Sequence, residues 1–523
     1  MWIRFCITIL LSLPALWLAV RYNMHMLQLN GYKNKEQRAW LKKNLRKQWI
    51  LFLSLFLGIA RIVLPVMALD IACWITLWLV FLVFRAHKNL NTKKKFVITA
   101  RVKRMFFTII LIWVAAIIGA FIFGGANVVS GALMVLVASS ICIGMISNII
   151  NHPVELAINQ YYINDASNKL KGVSGIRIIG VTGSYGKTSV KFYLQTLLRE
   201  RFNVLVTPES YNTPMGVVKT IRSSLKPTHE IFVCEMGARY VGDIKEICDI
   251  VHPNMGVITS IGPQHLETFG GMEQIQNTKF ELADALGTSD KLFLNGDNEW
   301  IQEKAKNYPN KIFYYAQKDG EGYKASDVSV SQTGTDFTVT NPAGESEHFQ
   351  MRLIGSHNVI NVVGAIAVAN TLGISLSDLR IPVRKLAPVE HRMQIRQNGD
   401  VTIIDDAYNS NPVGSKAAVE TLALFDGVRI LVTPGMVELG EKEEEYNNKF
   451  GGYAAKACDY ILLVGGGART NAIKKGALDG GFPEKKCKIF DNLQDALSYA
   501  YAIKDDGHKY ILLENDLPDN YIA

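Results

Sequence analysis

No two of the seven cysteines stand in a C-x-x-C or C-x-x-H spacing, so neither a zinc site nor a disulfide framework is indicated, and a reducing cytoplasm suits the chain. Internal repeats and low-complexity tracts are also missing. The long apolar runs of the first 150 residues contain almost no ionisable side chains apart from Arg61 and Asp70. Translocation paths need polar linings, which counts against a membrane-tethered nucleotide-binding transporter component.

Those runs are the first positive feature. They fall near 2–20, 49–68, 69–84, 106–124 and 128–149; a spanning helix takes about 20 residues, so five spans, or four, are expected within 1–150. No small-residue cleavage site follows the first run, which reads as an uncleaved helix. One basic loop carries Arg21, Lys33, Lys35, Arg38, Lys42, Lys43, Arg46 and Lys47, and a second carries Arg85, Lys88, Lys93, Lys94, Lys95, Arg101, Lys103 and Arg104. The bias of such residues to the inner face predicts a multi-pass membrane protein whose domains after Asn151 are cytoplasmic. The net charge of +9 resides largely in these loops, so membrane lipids with anionic headgroups, rather than nucleic acid, are the expected partner.

Residues 151–175 read as a polar connector. Beyond it, "IRIIGVTG", "NVLVTP", "EIFVCEMG", "MGVITSIG" and "KLFLNGD" alternate with amphipathic helical patterns. This is the signature of an α/β fold with a parallel sheet and crossover helices. Residues 323–354 suggest a β-hairpin excursion, and "VTIIDDA", "RILVTPG", "YILLVGGG" and "KYILLEND" mark a second, Rossmann-like domain. The expected division is a central domain over 176–383 and a carboxyl-terminal domain over 384–523.

In "GVTGSYGKTSV" a buried-strand run meets a glycine loop, a lysine and a helical pattern, the context that makes a phosphate-binding loop credible. Gly183 and Gly186 would let backbone approach phosphate, Lys187 would neutralise its oxygens, and Thr188 would face Mg²⁺. Val181 stands where the usual motif has its first glycine. Taken alone, the segment also fits a glycine turn with a surface lysine.

The loop resembles the G-x-T-G-[ST]-x-G-K-[ST] segment of the Mur ligase family. "ESYNTPMG", "CEMGARYVGDI", "ITSIGPQHLETFG", "NTKFELADAL", "LNGDN", "GSHNVINVVGAIAVA", "HRMQI", "IDDAYNSNP" and "GMVELGE" follow in family order. The resemblance covers roughly 175–470 and implies an ATP-dependent ligase of cell-wall precursor synthesis. "EMGARYVGDI", "DDAYNSNP" and "GMVELGE" are most similar to the member that joins D-Ala-D-Ala to a muramyl tripeptide carrier.

By the same resemblance, Gly183, Ser184, Gly186, Lys187, Thr188 and Ser189 would hold the ATP phosphates, with Asn358 and Asn361 at the adenine and Asn295 a further nucleotide-side candidate. Arg392 and Lys416 would offer cations to the γ-phosphate, and Asp406 would accept from the ribose. Thr188, Glu235 and His265 would hold Mg²⁺, Lys279 matches the family's carbamylated lysine, and Asn212 and Thr213 fall in the substrate loop. The catalytic set is thus Lys187, Lys279, His265 and Glu235. Without the resemblance, His265 reads as a structural histidine, Lys279 as a solvated side chain and the asparagines as helix caps.

Two departures qualify the substrate. Apolar helices occupy the place of the family's uridine-binding domain, and "LLENDLPDNY" stands where a "KGS"-like cationic segment is common. An amide ligase acting on a lipid-linked or polyglutamate-like acceptor is therefore the alternative reading.

Overall fold

A computed structural model describes residues 2–64, 66–87, 95–308, 311–317, 322–408, 410–505 and 507–516. They divide into two compact units, one up to Gln160 and one from Tyr161.

The first unit is helical, with elements Trp2–Leu29, Asn34–Asn44, Trp49–Val63, Met67–His87 and Ala100–Ser139. Three helices among the described residues are long and apolar enough to cross a membrane: Ile3–Leu29, Met67–Ala86 and Ala100–Gly125. A fourth crossing exists only if Val128–Ser139 and Ile143–Lys171, bent by 75°, act as one span. The expectation of five spans, or four, is therefore corrected to three among the described residues, or four with the bent pair. Run 49–68 yields a helix of only 15 residues, about 22 Å at 1.5 Å per residue, against an apolar core of about 30 Å. The proline at 65 disfavours helical geometry at the preceding residue, and Leu64 is extended at φ −119°, ψ 99°. This short helix lies tightly along Ala100–Ser139. A Cβ placed on Gly58 would come within 2.9 Å of the Gly131 carbonyl oxygen, and one on Gly131 within 2.7 Å of that of Gly58. Arg61 and Asp70, both buried, form an ion pair, Arg61 Nε donating to Asp70 Oδ1 at 2.6 Å, and Arg4 Nη1 lies 3.6 Å from Asp70 Oδ2.

The interval read as a connector is helical as far as Lys171, and its residues Ala166 and Leu170 are buried in the core of the second unit.

That unit holds two sheets. The first contains β1 (Arg177–Thr182), β2 (Val204–Val206), β3 (Ile231–Glu235), β4 (Met255–Ile258), β5 (Lys291–Asn295), β6 (Lys311–Ala316), β7 (Tyr323–Ser331), β8 (Gly334–Thr340) and β9 (Ser346–Met351). Their order is β2-β3-β1-β4-β5-β6-β7-β8-β9. Pairing is parallel through β7, and β7, β8 and β9 form an antiparallel meander in place of a single hairpin. Apolar residues cover both faces: Val190, Leu194, Val359 and Val363 on one, Val217, Ile247, Phe280 and Leu282 on the other. Burial on both sides is why these strands read as unbroken apolar runs.

The second sheet contains β10 (Gln394–Asn398), β11 (Val401–Asp406), β12 (Val428–Thr433), β13 (Tyr460–Val464), β14 (Cys487–Phe490) and β15 (Lys509–Glu514). Its order is β10-β11-β15-β12-β13-β14, parallel except for β10 against β11. The carboxyl ends of β11 and β15 carry Asp406 beside Glu514, at the sheet edge where open α/β folds bind ligands.

Candidate active site

Between β1 and the helix Lys187–Leu198, Gly183 and Gly186 take φ of +148° and +80°. A Cβ at Gly183 would sit 2.1 Å from Thr259 Oγ1, and one at Gly186 2.6 Å from Asn361 Oδ1. Glycine is required at both. The loop is pinned to the strand β4 side: Ser184 N donates to Ser260 O at 2.6 Å, Ser184 Oγ to Gly262 O at 3.0 Å, and Tyr185 Oη to Pro263 O at 2.6 Å. Lys187 Nζ donates to the Gly183 and Ser184 carbonyls at 2.7 and 3.0 Å. Removal from water pushes its ammonium down to about 8, against the opposing attraction of Glu235.

Glu235 ends β3 fully buried. Its Oε1 accepts from Thr188 Oγ1 and from Asn212 Nδ2, each at 3.0 Å, and its Oε2 pairs with Lys191 Nζ at 2.9 Å. Burial alone would raise its pKa, but Lys191 and Lys187 hold it below the ordinary carboxylate range. Two predicted metal-side residues, Thr188 and Glu235, are thus adjacent. His265 instead meets Glu438 through Nδ1. No cluster of three or more acidic, histidine or cysteine side chains suited to a metal is found among the described residues. The Lys279 amine is buried without a hydrogen bond or ion pair among those residues, its Nζ 5.8 Å from the Phe269 ring centroid. Burial, with Lys187 nearby, drives its pKa well below the usual lysine value.

A cavity of about 350 Å³ opens beside the loop, lined by Gly186, Ser189, Asn295, Asn358, Asn361, Arg392 and Asp406. That size falls in the small-molecule range of about 300–1,000 Å³. The three asparagines are not equivalent. Asn358 spends its amide on Tyr193 Oη and Ile354 O, and Asn295 on Thr259 O and Asp297 N. The side-chain amide of Asn361 makes no hydrogen bond to the described residues and stands beside Gly186. Asp406, which accepts from Met393 N at 3.2 Å, is raised by burial to about 6 despite Arg392. Beside it Glu514, bonded to Ser410 and to Thr433 Oγ1, is raised by burial to about 8. A second cavity of about 520 Å³ runs from Thr188 past Phe192, Glu209, Ser210 and His391 to Arg392 and Tyr408.

Two predicted residues stand apart. Lys416 lies outside both cavities and pairs with Glu420 at 3.6 Å, one helical turn away. Thr213 caps the helix Pro214–Ser224, its hydroxyl accepting from Gly216 N. Conversely, Lys191, Tyr185 and Glu438 were not anticipated. Lys191 had a signal: it shares a helical stripe with Leu194 and Leu198, three and seven positions on, where a lysine must be buried.

The matching family models are the Mur ligase middle domain, over residues 181–369, and the Mur ligase glutamate ligase domain, over 391–513. The chain belongs to the Mur ligase family, whose members are ATP-dependent enzymes that form carbon–nitrogen bonds. It is 32% identical over 339 residues to the UDP-N-acetylmuramoyl-tripeptide--D-alanyl-D-alanine ligase of Bacillus subtilis strain 168, covering 64% of this chain and 71% of that one. Its fold is similar to that of MurF from Acinetobacter baumannii, with a TM-score of 0.63 at 25% identity over 70% of this chain and 78% of that chain. It is also similar to MurF of Thermotoga maritima in complex with ADP, with a TM-score of 0.61 at 25% identity over 68% and 80% of the two chains.

Proposed function

We propose that this chain is a membrane-anchored, MurF-like ligase that joins D-Ala-D-Ala to a muramyl tripeptide carrier. The observation that carries this reading is the juxtaposition of the phosphate loop, the Thr188–Glu235–Lys191 cluster and a cavity containing Asn361, Arg392 and Asp406. The name of the Bacillus relative supplies the substrates.

In this reading ATP lies in the smaller cavity with its base toward Asn361, its ribose toward Asp406 and its phosphates on the Gly183–Ser189 amides. Lys187 exchanges its two loop carbonyls for phosphate oxygens. The substrate carboxylate attacks the γ-phosphorus and ADP leaves. The dipeptide amine then attacks the acyl phosphate, and inorganic phosphate departs from the tetrahedral intermediate. Lys187, Arg392 and the loop amides stabilise the charge that develops, and closed domains exclude water from the acyl phosphate.

The hard oxygens of Thr188 and Glu235 suit Mg²⁺, an ion that keeps most of its ligands from phosphate and water; His265 is the third candidate. Such an ion, held by these residues, would supply positive charge to the nucleotide's phosphates. The depressed pKa of Lys279 favours the neutral amine, whose nitrogen adds to the carbon of CO₂ and releases a proton to leave a carbamate.

Membrane attachment is supported by the apolar helices Ile3–Leu29, Met67–Ala86 and Ala100–Gly125 and by the two basic loops. Phosphate release and product mass, measured in parallel with UDP-linked and lipid-linked tripeptide, test the proposal. Turnover on neither carrier would discard the substrate assignment.

A further inference from the structure

The chain reads "LLEND" at the end of β15, where a "KGS"-like cationic segment is common in the family. Glu514, the last residue of that strand, is the register partner of Asp406 at the end of β11. Directly paired residues of neighbouring strands project to the same face of a sheet, and the strands lie about 4.8 Å apart. Both side chains line the cavity of about 350 Å³, so two carboxyl groups stand together in one of its walls.

Alternation along β11 turns Asp405 to the other face, where it meets His391 Nδ1 at 2.8 Å and Arg396 Nη2 at 3.7 Å. Among the described residues neither Asp406 nor Glu514 has an ion-pair partner; hydroxyl and amide donors meet them instead. Glu514 is 1% exposed, with Oε1 accepting from Ser410 Oγ and Oε2 from Thr433 Oγ1 at 3.2 Å. A carboxyl group has more hydrogen-bonding positions than these two hydroxyls use. Asp406 engages Met393 N through Oδ1, and its Oδ2 receives no hydrogen bond from the described residues.

The wall is tied in place from behind. Asn515 Nδ2 donates to Gly435 O at 2.6 Å, and Asn515 Oδ1 accepts from Ser410 N at 3.1 Å. The loops after β11 and β12 are thereby joined to the end of β15.

Two carboxyl groups this close in a buried wall do not both ionise without a large penalty. Burial beside Asp406 pushes Glu514 up to about 8, so at neutral pH the pair keeps one proton and one negative charge, which Arg392 on the same cavity offsets. A wall without net charge favours neutral hydroxyls over a metal ion or an ammonium group. Two neighbouring hydroxyls, each able to donate and to accept, match one carboxylate and one carboxylic acid.

We propose that Glu514 is a specificity residue for the nucleotide: with Asp406 it forms a two-carboxyl wall that receives the vicinal hydroxyls of the ribose, one at each residue. This rests on the reading that ATP occupies the cavity with its ribose toward Asp406. The acid that replaces a common cation at the end of β15 is then turned to the sugar.

The test is calorimetric titration of the full-length protein in detergent with ADP, 2′-deoxy-ADP and 3′-deoxy-ADP, comparing wild type with E514L, E514D, E514Q and D406L. Wild type should prefer ADP to each deoxynucleotide roughly 10-fold, the scale of one lost hydrogen bond to a buried carboxyl group. E514L should lose the preference at one hydroxyl and D406L at the other. E514D, whose acid is withdrawn by one methylene, should lose the same preference as E514L and serves if E514L does not fold; E514Q, with a donor and an acceptor, should retain most of it. A purely structural role for Glu514 would weaken all three ligands alike. Wild-type ratios in folded E514L or E514D, with one ratio lost in D406L, therefore overturn the inference and leave the ribose reading standing. Absence of preference in wild type, or both preferences kept in D406L, places the ribose elsewhere, and the inference falls with that part of the functional reading. Nucleotide-free Mn²⁺ binding that E514L abolishes would make the wall a cation site and overturn the inference as well.

Discussion

Replacing Lys191 with methionine isolates the ion pair that sits under the phosphate loop. Lys191 and Glu235 are both fully buried and 2.9 Å apart. Removing one partner of such a pair costs about 3–5 kcal/mol, because the other charge stays buried without compensation. Glu235 keeps two hydrogen bonds, from Thr188 and Asn212, and so the lower end, about 3 kcal/mol, applies. At roughly 2–4 °C per kcal/mol for a domain of 150–250 residues, the Tm should fall by roughly 6–12 °C. The sign of the pH dependence is specific. In wild type the depressed Glu235 pKa stabilises the fold above the unfolded carboxylate value of about 4.3, and that contribution is lost as pH falls through the folded value. In K191M the nearer of the two cations is gone and only Lys187 still holds the carboxyl down, so its pKa moves upward from the depressed wild-type value and the Tm difference from wild type narrows on acidification. Scanning fluorimetry across pH, with the K191M/E235Q double variant recovering most of the loss, is the assay. A K191M protein with wild-type Tm at neutral pH, or a double variant no better than the single, would refute the reasoning.

K187A should lose at least 100-fold in ATP-dependent turnover, a rough expectation for loss of a transition-state donor, with circular dichroism unchanged; phosphate release measures it. K279A should lose most activity, and added short carboxylates should restore part of it by standing in for the carbamate; full activity in bicarbonate-free buffer would contradict this. Asp406, raised by burial to about 6, accepts from hydroxyls best when ionised, so ADP affinity should increase as pH rises through that value and D406N should flatten the profile in calorimetric titrations. A reporter fused after Arg104 should behave as cytoplasmic, by the charge bias of the loops.

The parallel sheets were legible because strands buried on both faces produce unbroken apolar runs, and "IRIIGVTG" and "EIFVCEMG" became β1 and β3 with their loops where expected. The spans were harder to read. Composition alone merges 49–68 into one run, and the extended backbone at Leu64 ends the helix earlier. At the site, backbone conformation that follows from a local pattern was legible, as in the positive φ of the glycines at 183 and 186. Partners distant in the chain were not: Glu438 is 173 residues from His265, and no local pattern announces their meeting. Lys416 and Thr213 show the converse limit, since a motif position does not reveal whether a side chain faces the cavity, a neighbouring turn or a helix end.

The close approach of Gly58 and Gly131 bears on how the shortest apolar helix keeps its station. Between helices in lipid there is no solvent-exclusion force to draw surfaces together, because acyl chains are as apolar as leucine, and van der Waals fit decides association. Trp49–Val63 is too short to be fixed by matching the bilayer thickness. Two facing glycines let its backbone rest against the neighbouring helix, and a side chain at either would push them apart. In the proposed membrane-anchored arrangement that helix would therefore be located by lateral fit to its neighbour, its depth inherited from a longer partner instead of being set by its own hydrophobic length.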